Sequence, residues 1–135
     1  MSFLSLLRKR NKDNRPTCAA IIAAAGSSSR MGTDKLFMIL DDKPVIAHTL
    51  LAFEESKLVD KIILVARSDK IVSMYDVCNE FDISKVTDIV SGGADRTESV
   101  LNGIMAAGEV DYVMIHDGAR PLVSQEVIED VFKAA

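Results

Sequence analysis

Three short stretches hold most of the residues in this chain that could handle a polyphosphate. The first is Ala23-Ala24-Ala25-Gly26-Ser27-Ser28-Ser29-Arg30-Met31-Gly32, with Lys35 just behind it. No bulky side chain stands between Gly26 and Arg30, so the backbone N–H groups there can close directly on a ligand. A guanidinium and an ammonium follow, and main-chain donors backed by two cations make an anion site. The second stretch is Ser91-Gly92-Gly93-Ala94-Asp95-Arg96, continuing to Ser99-Val100-Leu101-Asn102-Gly103. Gly92 and Gly93 let the backbone approach a flat ligand closely. Main-chain N–H and C=O groups offered there could read the hydrogen-bonding edge of a base, and Ser99 adds a hydroxyl one turn into a helix. The third stretch is Ile115-His116-Asp117-Gly118-Ala119-Arg120-Pro121. A carboxylate such as Asp117, facing a phosphate loop, is what a Mg²⁺ shared between protein and phosphates requires. Arg120, restricted by Pro121, suits a second anion contact. His116 reads as the last residue of a strand, and His48 as a helix residue without chemistry.

Two familiar phosphate motifs do not describe the first stretch. A Walker loop places Lys and then Ser or Thr directly after its second glycine, whereas Gly32 is followed by Thr33, Asp34 and Lys35. A dinucleotide fingerprint needs glycines where this chain has Ser28 and Met31. Taken singly, each of the three stretches also reads as an ordinary turn or helix cap.

The elements that must position these loops alternate. Strands are expected at 18–25, 61–66, 85–90 and 111–115, and strands apolar on both faces alternating with helices argue for a sheet covered on each side. Between them lie helical patterns. Ile46, Leu50 and Phe53 share a face over 45–56, and Ile71, Met74, Tyr75, Cys78 and Phe81 do so over 69–81. A third helix spans 96–107, with Asp95 as N-cap and Glu98 three residues on, and a fourth begins at Ser124. The pattern predicts an α/β fold, a mostly parallel sheet flanked by helices. In such sheets ligands sit beyond the carboxyl ends of the strands, which is where the three stretches fall.

Composition limits the alternatives. A chain of 135 residues with 48% hydrophobic and 27% charged residues fits one soluble domain with a real core. It has no apolar run of membrane-spanning length. Cys18 and Cys78 are too few for a disulfide framework, and a reducing, cytoplasmic setting is expected. Residues 1–17 carry five basic residues and one acid, leaving eleven basic and nineteen acidic residues in the remainder. The expectation is a basic N-terminal tail, 1–17, on an acidic body. That body, with 5% aromatics, argues against nucleic-acid binding. No membrane association is expected.

In order and spacing, the three stretches together resemble the 2-C-methyl-D-erythritol 4-phosphate cytidylyltransferase family. The resemblance covers 18–135. It implies a Rossmann-like nucleotide-diphospho-sugar transferase fold, CTP and 2-C-methyl-D-erythritol 4-phosphate as substrates, Mg²⁺ as cofactor, and a homodimer when full length. Carried over to this sequence, Ala24, Ala25, Gly26 and Ser28 would line the triphosphate with backbone, and Arg30 and Lys35 would be catalytic. Gly92, Gly93, Ala94 and Ser99 would bind cytosine, Arg96 would brace that loop, and Asp117 would hold the metal. Two departures stand out: Ser28 where many members have a second glycine, and Gly118 where alanine is common. The family's catalytic domain continues well beyond Ala135. The chain is therefore expected to be a truncated form holding the N-terminal, CTP-binding part, poorly active alone. Ribitol-5-phosphate cytidylyltransferase and a non-catalytic nucleotide-binding module are the competing readings.

Overall fold

In the computed structural model, residues 15–26 and 34–134 are described. Four strands, β1 (Cys18–Ala24), β4 (Lys61–Ala66), β5 (Val86–Ser91) and β6 (Tyr112–Asp117), form one sheet in the order β5-β4-β1-β6. All its neighbouring pairs are parallel. Two residue pairs, β2 (Ile39–Leu40) and β3 (Lys43–Pro44), make a separate antiparallel hairpin. The helices are α1 (Val45–Glu54), α2 (Ile71–Glu80), α3 (Arg96–Ala107) and α4 (Gln125–Ala134).

The alternating pattern is thus realised as an α/β fold with a parallel sheet. The hairpin is an addition that the sequence pattern does not announce. Its turn residues Asp41 and Asp42 both have positive φ, 47° and 68°, the backbone a two-residue hairpin turn demands. The helix expected over 69–81 begins with a 3-10 turn at Ser68–Lys70 and ends at Glu80. The last strand runs two residues past 115, so His116 lies in strand, as its reading as a strand residue expects, and Asp117 ends the strand rather than standing in the loop.

Side-chain alternation divides the core into two layers. Cys18, Ala20, Ile22 and Ala24 of β1 face a large cluster that includes Ile46, Leu50 and Phe53 of α1, Met74 and Val77 of α2, and Ile128 of α4. Ala19 and Ile21 face the other way, with Ile63, Val65 and Ala107 of α3. Three helices therefore cover one face and α3 covers the other. Gly103 brings α3 close to the sheet. A β-carbon there would lie 2.5 Å from Ile21 Cγ2 and 2.9 Å from Val65 Cγ2, so any larger residue would push the helix outward.

The amino-terminal edge of the sheet is closed by side chains. Arg15 bonds both oxygens of Asp60 (3.1 and 3.3 Å) and the carbonyls of Lys57 and Leu58, and Asp60 accepts the Cys18 N–H at 2.8 Å. Thr17 and Asp111 exchange hydrogen bonds reciprocally. The last residues of the basic segment, Arg15 to Thr17, are thus bound into the domain rather than trailing in solvent. Residues 1–14 lie outside the described region.

Both thiols are free and buried. Burial, with the nearby Asp60 carboxylate, pushes the Cys18 thiol up to about 11. Burial and Glu54 do the same for Cys78, also to about 11.

Candidate active site

The site lies where β1, β5 and β6 end, over the face that α3 covers. Period-two alternation puts residues 19, 21, 23 and 25 on that face of β1, and 113, 115 and 117 on that face of β6. The register pairs Ala23 with Asp117. Along this face β1 passes from Ile21 to Ala23 and Ala25, and the drop in side-chain size leaves open space beyond the core. The result is a cavity of about 470 Å³ lined by Ala23, Ala25, Gly26, Gly93, Ala94, Asp95, Arg96, Ser99 and Asp117. The three loops separated in sequence meet there.

Each wall has a local cause. Asp95 is the N-cap of α3, its carboxylate accepting the Glu98 N–H at 2.8 Å, so the helix amino terminus points at the cavity. Ser99, one turn on and buried, accepts the Gly93 N–H at 3.0 Å through its hydroxyl oxygen. Asn102 holds the Ser91 carbonyl at 3.2 Å. The Gly92 N–H donates to Ala66 at 2.9 Å, extending the ladder between β4 and β5 beyond the strand. A β-carbon on Gly92 would collide with that of Ala25 and lie 2.9 Å from Ser99 Oγ. The first two loops therefore touch at a point only glycine can occupy.

The expected site residues divide three ways. Ala25, Gly26, Gly93, Ala94, Arg96, Ser99 and Asp117 are brought together around the cavity. Ala24, Gly92 and Lys35 are not among its lining. The Ala24 side chain packs in the opposite core layer, Gly92 stands behind the loop against Ala25, and Lys35 is exposed at the start of a 3-10 turn, Lys35–Phe37. Ser28 and Arg30 lie outside the described residues. Both glycine N–H groups are committed within the protein, which leaves this loop's carbonyls, Ala94 and the Ser99 O–H as the groups that could address a ligand. Arg96 lies exposed along the cavity, with no side-chain partner among the described residues. Arg96 therefore lines the cavity wall, at the start of α3. Asp95 and Ala23 are lining residues absent from the expected set. The capping pattern at Asp95 was the available signal, because a cap faces whatever the helix terminus faces.

The histidines are structural. His116 packs against Phe53 with ring centroids 5.1 Å apart and sits 3.1 Å from the Arg120 carbonyl. His48 Nε2 lies 2.5 Å from the Leu40 carbonyl, tying the hairpin to α1. Arg120 is exposed and outside the cavity lining.

Asp117 is partly buried and accepts the Ala119 N–H at 3.0 Å through one oxygen. No described cation pairs with it. A lone carboxylate beside a polyphosphate would repel it unless a cation stood between them. One carboxylate with phosphates and water as the remaining ligands is the usual donor set for Mg²⁺. The described residues contain no group of three or more His, Cys, Asp or Glu side chains able to enclose a metal alone. The donor set therefore fits Mg²⁺ carried in with a nucleotide.

Comparison with known proteins agrees with this geometry. Residues 18–135 match the family model for 2-C-methyl-D-erythritol 4-phosphate cytidylyltransferase. Relatives described by that name from Dehalococcoides mccartyi and Bacillus cereus are 45% and 42% identical over 117 residues. These alignments cover 86% and 85% of the chain and 52% of each relative. The chain thus spans about half the length of the curated relatives it matches. The crystal structure of 4-diphosphocytidyl-2C-methyl-D-erythritol synthase from Anaerococcus prevotii superposes with a TM-score of 0.73 at 30% identity, covering 88% of this chain and 50% of that one. Among the described residues, no helix is long and apolar enough to cross a membrane.

Proposed function

The chain belongs to the 2-C-methyl-D-erythritol 4-phosphate cytidylyltransferase family, and from that premise we propose that residues 18–135 carry the CTP-binding part of such an enzyme. The reaction joins CTP to 2-C-methyl-D-erythritol 4-phosphate, giving 4-diphosphocytidyl-2-C-methyl-D-erythritol and pyrophosphate in the non-mevalonate route to isoprenoids. The observation that carries the reading is the convergence of the three loops on one cavity at the carboxyl edge of a parallel sheet.

In this reading the backbone around Gly26 and Ser28 receives the triphosphate, and Ala94, Gly93 and Ser99 address cytosine. Ser99 accepts a hydrogen bond through its oxygen and keeps its O–H to donate to the acceptor edge of the base. The phosphate of methylerythritol phosphate attacks the α-phosphorus, and the bond to the β-phosphate breaks. That nucleophile is already an anion near neutral pH, so the step needs no general base, in keeping with two histidines engaged elsewhere. The difficulty is repulsion between anions and charge growing on the leaving pyrophosphate. Arg30 and Lys35 offset it electrostatically, and Arg96 adds charge at the cavity wall. A Mg²⁺ held by Asp117 would neutralise phosphate charge and orient the triphosphate. Cytoplasmic action and a homodimeric full-length enzyme complete the proposal.

Calorimetry with CTP and UTP in the presence of Mg²⁺, together with pyrophosphate release from CTP and methylerythritol phosphate, tests it. The expected result is weak CTP binding, on the order of millimolar, with UTP weaker and with little pyrophosphate released by the 135-residue chain. Equal binding of UTP would overturn the cytosine assignment. Robust turnover by this chain would overturn its assignment as the CTP-binding part alone. Faster release with ribitol 5-phosphate would overturn the acceptor.

A further inference from the structure

Thr49 lies in the middle of α1, wholly buried, one of three buried polar residues among the described residues. A threonine in a helix ordinarily satisfies its hydroxyl on the carbonyl four residues back. Here that carbonyl, of Val45, is 3.4 Å away, too long for a good hydroxyl hydrogen bond, whereas the Gly118 carbonyl is at 2.8 Å. The single hydroxyl proton is therefore donated out of the helix to a residue 69 positions away.

The acceptor matters because of what lies at the other end of its peptide. Gly118 C=O and Ala119 N–H belong to one planar unit, so fixing the oxygen fixes the direction of the N–H. That N–H is donated to Asp117 Oδ1 at 3.0 Å. Gly118 is held once more, by its N–H to the Ala23 carbonyl at 2.9 Å, and a β-carbon at that position would lie 3.0 Å from Ile46 Cδ1, so the turn has no room for a larger residue. We propose that Thr49 is the positioning residue of the metal-binding turn: through one peptide plane, its hydroxyl sets the orientation of the Asp117 carboxylate toward the cavity. The inference rests on Asp117 as the metal ligand. It adds a residue that touches neither metal nor nucleotide.

The test compares Thr49→Val, Thr49→Ser and Asp117→Asn in this chain. Amide hydrogen exchange reads the turn. Mn²⁺ relaxation titration in the presence of CTP reads the metal. In Thr49→Val, exchange at Gly118 and Ala119 rises about tenfold, the scale of one lost hydrogen bond, while the β4 amides keep their rate. Mn²⁺ affinity falls by roughly threefold to tenfold and is lost in Asp117→Asn. Thr49→Ser, which keeps the hydroxyl, retains the parent's exchange and affinity. Parent-like exchange in the Thr49→Val turn overturns the positioning role, whatever the metal does. A turn loosened equally in Thr49→Ser overturns it as well, by assigning the effect to the methyl group. If Asp117→Asn leaves Mn²⁺ binding unchanged, the metal assignment fails while the anchoring of the turn stands. If only Thr49→Val leaves it unchanged, the coupling between hydroxyl and metal fails.

Discussion

The two edges of the sheet are built on opposite principles. At the amino-terminal edge charged groups are partnered: Arg15 with Asp60, Asp111 with Thr17, and Glu54 with Ser84 and Lys85. At the carboxyl edge Asp117 and Arg96 line a cavity without a described ion-pair partner. Charges left unmatched inside a concave site lower stability slightly and raise affinity for a ligand that matches them. One edge ties the domain together, and the other presents the cavity that the proposed function assigns to CTP.

Substitutions can break that contrast. The largest effect is expected for Arg30→Ala or Lys35→Ala in a full-length enzyme, where turnover should fall by about two decades, the scale of a lost transition-state contact. Near-normal turnover in steady-state assays would remove the catalytic assignment. At the opposite edge, Asp60→Ala removes the carboxylate from Arg15, which keeps the Lys57 and Leu58 carbonyls, and takes the acceptor from the Cys18 N–H. It should cost about 2–4 kcal/mol by urea denaturation while leaving CTP binding unchanged. A matching loss of CTP affinity in the still-folded variant would show that the two edges are not separable.

Gly103→Ala tests the layer between them. Forcing a β-carbon against Ile21 and Val65 should destabilise the domain by about 1–3 kcal/mol and displace α3, weakening CTP binding with it. Unchanged thermal stability would mean α3 has room that the contacts deny.

The smallest effect concerns Glu54. Burial alone would raise its carboxyl, but hydrogen bonds from the Ser84 hydroxyl and the Lys85 and Ser84 backbone outweigh it, holding it below its usual value of 4.5. A carboxylate lowered in the folded state contributes stability above its unfolded pKa and loses it as pH falls through the folded one. Glu54→Gln should therefore flatten part of the stability loss below about pH 4.5. CTP affinity at neutral pH should not change. An acid limb identical to the parent's would discount the clamp.

Much of this was legible because the relevant signals are short-range. Runs such as Ala19 to Ala25 and Lys61 to Ala66 are apolar on both faces, which only a covered parallel sheet accommodates. The loops after β1, β5 and β6 carry the residues that stand apart from a core. Less legible was anything set by side-chain direction or long-range contact. Ala24 and Ala25 are adjacent and alike, yet alternation sends one into the core and the other to the cavity. Arg15 reads as one more cation of a basic segment until Asp60, 45 residues away, is seen to receive it. The β2-β3 hairpin was hidden because two-residue strands show no alternation and Asp-Asp is an unusual pair for its turn. Thr49 gave no sign at all, since its partner is chosen by packing.

The contact between Ala25 and Gly92 has a consequence for how such a site can diversify. The separation between the loop after β1 and the loop after β5 is one methyl group wide, and both positions contribute to it. A larger side chain at either would wedge the loops apart and change the width of the cavity between them. The two positions can drift only as a pair, one shrinking as the other grows, and glycine at 92 already has nothing left to give.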